Sequence, residues 1–215
     1  MKFKTKIKYK TMKKLIRKIW VRFLEIFGNI KIFKYPMFVV YDPEYFKMNG
    51  EKIKQVMDII EPGCLILRGY EYYLDGKFIP STRGYSHLGV YVGDNKVIHA
   101  VSKGVSEVNL IEFCECDRIC VIKPRAYRKN AIKIAYRFME DSTGYDFFFD
   151  GDNTEQYCFE LGANCYPDLD IEKVEKKTLF GLIKKNVYLA DSFFNSKDMT
   201  IIFEYNPKCG IDFMK

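Results

Sequence analysis

The sequence predicts one α+β domain behind a basic N-terminal segment, and three observations carry that expectation. Short β-branched and aromatic runs cluster in the middle of the chain, most clearly over residues 85–105. Helical spacing of apolar residues flanks them at 51–60, 127–140 and 155–165. The composition, 48% hydrophobic and 16% aromatic over 215 residues, is enough for a substantial core. Neither internal repeats nor a low-complexity linker divides the chain, so strands with helices around them form one body.

The N-terminal segment differs from that body in charge. Residues 1–35 hold twelve Lys and Arg against the single acid Glu25, a balance of +11, and the remainder carries −4. Basicity is thus a property of the segment, and the pI of 8.9 is no evidence for nucleic acid. Within it, Met12, Leu15, Ile16, Ile19, Trp20, Phe23, Leu24 and Phe27 recur at helical spacing with Lys and Arg between them. This predicts a basic amphipathic helix over 12–27. Charges interrupt every run long enough to cross a bilayer, and no cleavable leader is visible. Its apolar face can pack on the body or a partner protein, lie on an anionic membrane, or accompany nucleic-acid contact. Nothing in it reads bases. The division expected is 1–35 as segment and 36–215 as domain.

The body follows in order. Residues 36–41 read as a strand, 43–60 as a helix strongest from 51, and Glu61-Pro62-Gly63 as its breaker. Residues 64–67 read as a buried strand and 70–84 as a polar, aromatic loop or small hairpin. Residues 85–105 form two short strands joined through Gly93-Asp94-Asn95-Lys96, a turn expected to be longer than two residues. Further strands fall near 106–110 and 119–123, closed by Pro124. The helix over 127–140 and a loop with Gly144 and Tyr145 lead to a helix over 155–165, stopped by Pro167. The tail offers 179–183, 187–189 and 200–205 as strands or short helices.

Chemistry concentrates in few residues. The chain has two histidines, His87 and His99, both on the 85–105 hairpin, where cross-strand pairing can make them neighbours. Cys158 lies in the first turn of the 155–165 helix, where unpaired backbone N–H groups can steady a thiolate. A cysteine nucleophile needs such a thiolate, an imidazole base and a group to orient that imidazole. Seven cysteines without framework spacing read as free thiols in a reducing compartment. Cys114, Cys116 and Cys120 lack the two-residue spacing of zinc sites, and no metal or other cofactor is called for. Cys165, seven residues after Cys158, is expected to pack inward, and Glu160 to face solvent or a salt bridge.

Three motifs carry a family resemblance. Glu61-Pro62-Gly63, then Ser86-His87-Leu88-Gly89-Val90-Tyr91-Val92-Gly93, then Val97-Ile98-His99-Ala100 resemble the core of NlpC-type papain-like hydrolases. There the nucleophilic cysteine precedes the histidines; here Cys158 follows them. That order is similar to the circularly permuted branch: the YiiX-like and YaeF-like proteins, poxvirus relatives, and lecithin:retinol acyltransferase with its cousins. Gly144-Tyr145-Asp146 and Tyr157-Cys158-Phe159-Glu160-Leu161 resemble the YiiX-like pattern, with Phe159 in place of serine and Cys64 in place of a frequent acid. The resemblance covers about residues 61–205 and implies a permuted papain-like fold, an antiparallel sheet or small barrel against helices. It implies Cys158 as nucleophile, His87 as general base and His99 as orienting group, with the Cys158 N–H in the oxyanion hole. Tyr145 is a candidate for lining the substrate cleft.

The function expected is a thiol hydrolase or acyltransferase acting on an amide or ester through an acyl-enzyme. A lipid, a peptidoglycan-type peptide and an isopeptide all fit as substrates. The alternative is a non-catalytic component of a larger assembly, a virion among them, that keeps the papain-like shell. The location expected is the cytoplasm or another reducing compartment, at a membrane surface or within a virion.

Overall fold

The computed structural model describes residues 15, 16, 18, 19, 22, 23, 27, 30–34, 37–41, 46–71, 81–125, 128–149, 151, 154–178 and 183–207. The chain divides into two compact units, residues 1–44 with 72–78, and residues 45–71 with 79–215.

In the first unit, β1 (Ile30–Lys34) and β2 (Met37–Tyr41) form an antiparallel hairpin in which Ile32 faces Val39. The sequence reading found the second strand but not the first. Within 12–27, residues 15, 16, 18, 19, 22, 23 and 27 are helical. The rest of that expected amphipathic helix lies outside the described residues.

The second unit is built on a six-stranded antiparallel sheet. Its strands are β3 (Leu65–Gly69), β4 (His87–Gly93), β5 (Lys96–Val101), β6 (Gly104–Asn109), β7 (Arg118–Pro124) and β10 (Met199–Tyr205), ordered β10-β7-β3-β4-β5-β6. A separate hairpin joins β8 (Val174–Thr178) to β9 (Ile183–Val187). Period-two alternation sends successive strand residues to opposite faces, and both faces are buried. One carries Leu65, Leu67, Leu88, Val90, Ile98 and Ala100. Against it pack α3 (Arg128–Glu140), α4 (Cys158–Asn164) and α5 (Ala190–Phe194). The other carries Ile66, Tyr91, Val97, Ile119 and Val121 beneath α1 (Gly50–Ile59) and α2 (Leu110–Phe113). Each fully buried Leu, Ile or Phe contributes about 1.5–3 kcal/mol of transfer free energy, so the two layers supply most of the driving force.

Several boundaries differ from those expected, each for a local reason. The first body helix begins at Gly50 because the Asn49 side chain accepts the Lys52 N–H at 3.0 Å and caps it. The β4–β5 turn is the two-residue kind. Asp94 and Asn95 both take positive φ, 51° and 57°, and Asx side chains tolerate that conformation. α4 starts at Cys158, not 155, because the backbone of 155–156 is occupied elsewhere: Glu155 bridges Gly144, and Gln156 N–H donates to the Gly144 carbonyl at 2.8 Å. Leu110 opens α2 instead of closing β6, since the Asn109 side chain caps the Ile111 N–H at 2.9 Å.

Candidate active site

The histidines occupy neighbouring strands of one hairpin. Gly89 on β4 lies opposite His99 on β5, which puts His87, two residues earlier, diagonal to His99 on the same face. The pair forms: His87 Nε2 lies 2.9 Å from His99 Nδ1, with ring centroids 5.1 Å apart. When His87 Nε2–H is the donor of this bond, His87 Nδ1 is the ring nitrogen able to take a proton. Phe113, at the end of α2, forms the platform, its ring centroid 5.7 Å from each imidazole. Gly89 makes room for that platform. A Cβ there would stand 2.9 Å from Phe113 Cε2 and 2.4 Å from Val97 Cγ1.

Cys158 comes from the other side of β4. It is the first residue of α4, preceded by Tyr157 in extended conformation, and it is 3% exposed. Close approach of helix to strand depends on Gly162, where a Cβ would stand 2.5 Å from Leu88 Cδ2. The thiol reaches the β4 backbone on either flank of His87. It donates to the Ser86 carbonyl at 3.8 Å, and the Leu88, Phe159 and Cys158 N–H groups are directed at the sulfur. The latter two have no intrahelical acceptor, which leaves them for an anion. So the two histidines meet directly, while the thiol is hydrogen-bonded to the residue before His87 and not to its ring.

Burial sets the electrostatics. It pushes the Cys158 thiol up to about 11, against the opposing pull of the three backbone N–H groups and Arg68. His99 is drawn down to about 3 by burial first and Arg68 second. His87 is held well below the usual imidazole range by burial, Arg68 and His99, in that order. The thiol and both imidazoles are therefore neutral at rest.

Among the remaining candidates, Tyr145 is half-buried. Its phenol is raised by burial first and by Cys158 second. Its ring also packs against Phe147, centroids 4.8 Å apart. Of the two alternatives expected for Glu160, burial overturns the solvent one: it is 1% exposed, because α4 is buried along nearly all its surface. Cys165 packs inward as expected, and Cys64, Cys114, Cys116 and Cys120 are buried free thiols. Sequence reasoning missed Arg68, Phe113, Gly89 and Gly162. Only the two glycines left a signal, as small residues inside a strand and a helix.

A six-stranded antiparallel sheet with a histidine hairpin, followed in the chain by a helix that opens on cysteine, is the architecture of a papain-like cysteine hydrolase in permuted order. The chain belongs to the permuted papain-like amidase family, YaeF/YiiX, C92, whose model matches residues 59–203. Among solved structures it is similar to the metalloprotein YiiX from Escherichia coli O157:H7. The TM-score is 0.55 at 17% identity, over 67% of this chain and 97% of that one. No curated protein matches. As for a metal, no group of three or more His, Cys, Asp or Glu among the described residues could hold one. No helix among those residues is long and apolar enough to cross a membrane.

Proposed function

We propose that this chain hydrolyses an amide bond through a Cys158 acyl-enzyme, with His87 as general base and His99 as its orienting partner. The observation that carries the reading is the 2.9 Å contact between His87 Nε2 and His99 Nδ1, beside a cysteine that opens a helix. In the proposed cycle the thiol turns from the Ser86 carbonyl toward His87 Nδ1. That nitrogen takes its proton as sulfur attacks the carbonyl carbon. The oxyanion is met by the N–H groups of Cys158 and Phe159. His87 then protonates the departing amine, and a water deprotonated by His87 releases the acyl group as a carboxylic acid. Tyr145 is the candidate for lining the substrate cleft. Because the resting thiol is neutral, deprotonation belongs to the attack step.

The test is alkylation and turnover. Iodoacetamide should modify wild-type Cys158 and not Cys158→Ala. A panel of isopeptide, peptidoglycan-type peptide, lipid amide and lipid ester substrates should yield a trapped acyl adduct on Cys158 alone. Equal labelling of wild type and Cys158→Ala overturns the reading. Release of the acyl group to an added amine or alcohol in preference to water would make the enzyme an acyltransferase.

One observation favours a second reading, a non-catalytic component of a larger assembly: the thiol is held up near 11 and its hydrogen bond goes to a carbonyl, not to an imidazole. That reading gains if Cys158 stays unlabelled at every pH while the protein is folded. In either case we treat residues 12–27 as a docking segment, in the unit that also holds the β1–β2 hairpin. Leu15, Ile16 and Ile19 are helical yet 59%, 41% and 61% exposed, apolar surface that a partner protein or an anionic membrane would cover.

A further inference from the structure

Arg68 faces the histidine pair from β3. It lies opposite His87 in the β3–β4 register, so the two side chains share a face of the sheet. Its guanidinium carbon stands 4.3 Å over the Phe113 ring and 5.4 Å from the Tyr70 ring centroid. Its Nη1 donates to the Phe113 carbonyl at 3.2 Å. Arg68 thus grips Phe113 by both ring and backbone, and Phe113 is the platform on which both imidazoles rest. Its Nε is buried without a hydrogen-bond partner, and among the described residues no carboxylate neutralises the group. Arg68 is half-buried, and leaving its Nε out of water without a partner carries a cost.

We propose that Arg68 is the positioning residue of this site, clamping Phe113 beneath the His87–His99 pair and setting a fixed positive charge beside it. The inference rests on the reading of His87 as base. A guanidinium stays charged at any working pH. Next to the imidazoles it opposes their protonation, which keeps His87 a base in mildly acidic solution. Next to Cys158 it favours the thiolate formed during attack. Arg68 from β3 is the charged group that acts on both imidazoles, and its charge also reaches Cys158 of α4 and Cys114 and Cys116 after α2. Lysine would supply the charge without the planar group that stacks on Phe113 while donating to its carbonyl.

Two histidines in the whole chain make this measurable. The imidazole Cε1–H resonances of the full-length protein can be followed by NMR through the acid range, alongside the pH profile of Cys158 alkylation by iodoacetamide. Arg68→Met should raise at least one imidazole midpoint by about one unit. It should also slow alkylation at neutral pH about tenfold. Arg68→Lys should keep the midpoints near those of wild type and still slow alkylation, because the clamp is lost. Unchanged midpoints and rates in a folded Arg68→Met protein overturn the proposal. If Arg68→Met does not fold, a wild-type alkylation profile in Arg68→Lys overturns it instead. Absence of wild-type alkylation sinks the catalytic reading separately, since the NMR midpoints judge Arg68 without it.

Discussion

At the scale of single residues, the neutral state of the site governs its response to pH. An unfolded chain's histidines titrate near 6.5, whereas the fold holds His99 near 3 and His87 also far down. Below pH 6.5 the unfolded chain therefore binds protons that the folded one refuses, and stability falls as pH falls. The slope approaches about 1.4 kcal/mol per pH unit for each histidine, and it vanishes above the unfolded value. Urea midpoints at neutral and mildly acid pH should show this loss, and His99→Asn should reduce it. The same burial means that alkylation of Cys158 should keep accelerating with pH toward about 11, where an ordinary exposed thiol has already levelled off. A plateau near neutral pH would show an activated thiolate instead. His87→Asn should reduce amide turnover by a factor of about 100 or more while Cys158 remains alkylatable, read by single-turnover kinetics against the labelling rate.

Elements hold these residues through close approaches that leave no spare volume. Gly162 lets α4 sit against Leu88, so Gly162→Val should push the helix off β4. The expected cost is about 1–3 kcal/mol, read as a lower thermal midpoint, with slower Cys158 alkylation in the protein that still folds. Gly89→Ala should act at the other face, displacing Phe113 and loosening the pair, which NMR would register as altered imidazole shifts. How far this was legible in the sequence depends on the range of the interaction. The histidine hairpin was readable because Val90, Tyr91, Val92, Val97 and Ile98 encode strands locally and the Asp94-Asn95 turn sits between them. The start of α4 was not, since what stops the helix at 157 is a bridge from Glu155 to Gly144. The burial of Glu160 follows from helices and strands that cover α4 on all sides. The Arg68–Phe113 contact spans 45 residues and depends on strand register, which no local pattern states.

For the molecule as a whole, the sheet's connectivity separates the site in time as well as in sequence. The strands β3, β4, β5 and β6 are consecutive neighbours, so the half bearing both histidines closes through short-range pairings. The thiol half arrives with α4, and the sheet is completed only when β10 returns to pair with β7, joining Tyr205 to Ile119 across the longest interval in the sheet. Local pairings form faster than distant ones because less loop entropy opposes them. During synthesis, the β4–β5 hairpin with both histidines leaves the ribosome before Cys158 does. The permuted order thus delivers the proposed nucleophile after the proposed base, onto a sheet that still awaits β10.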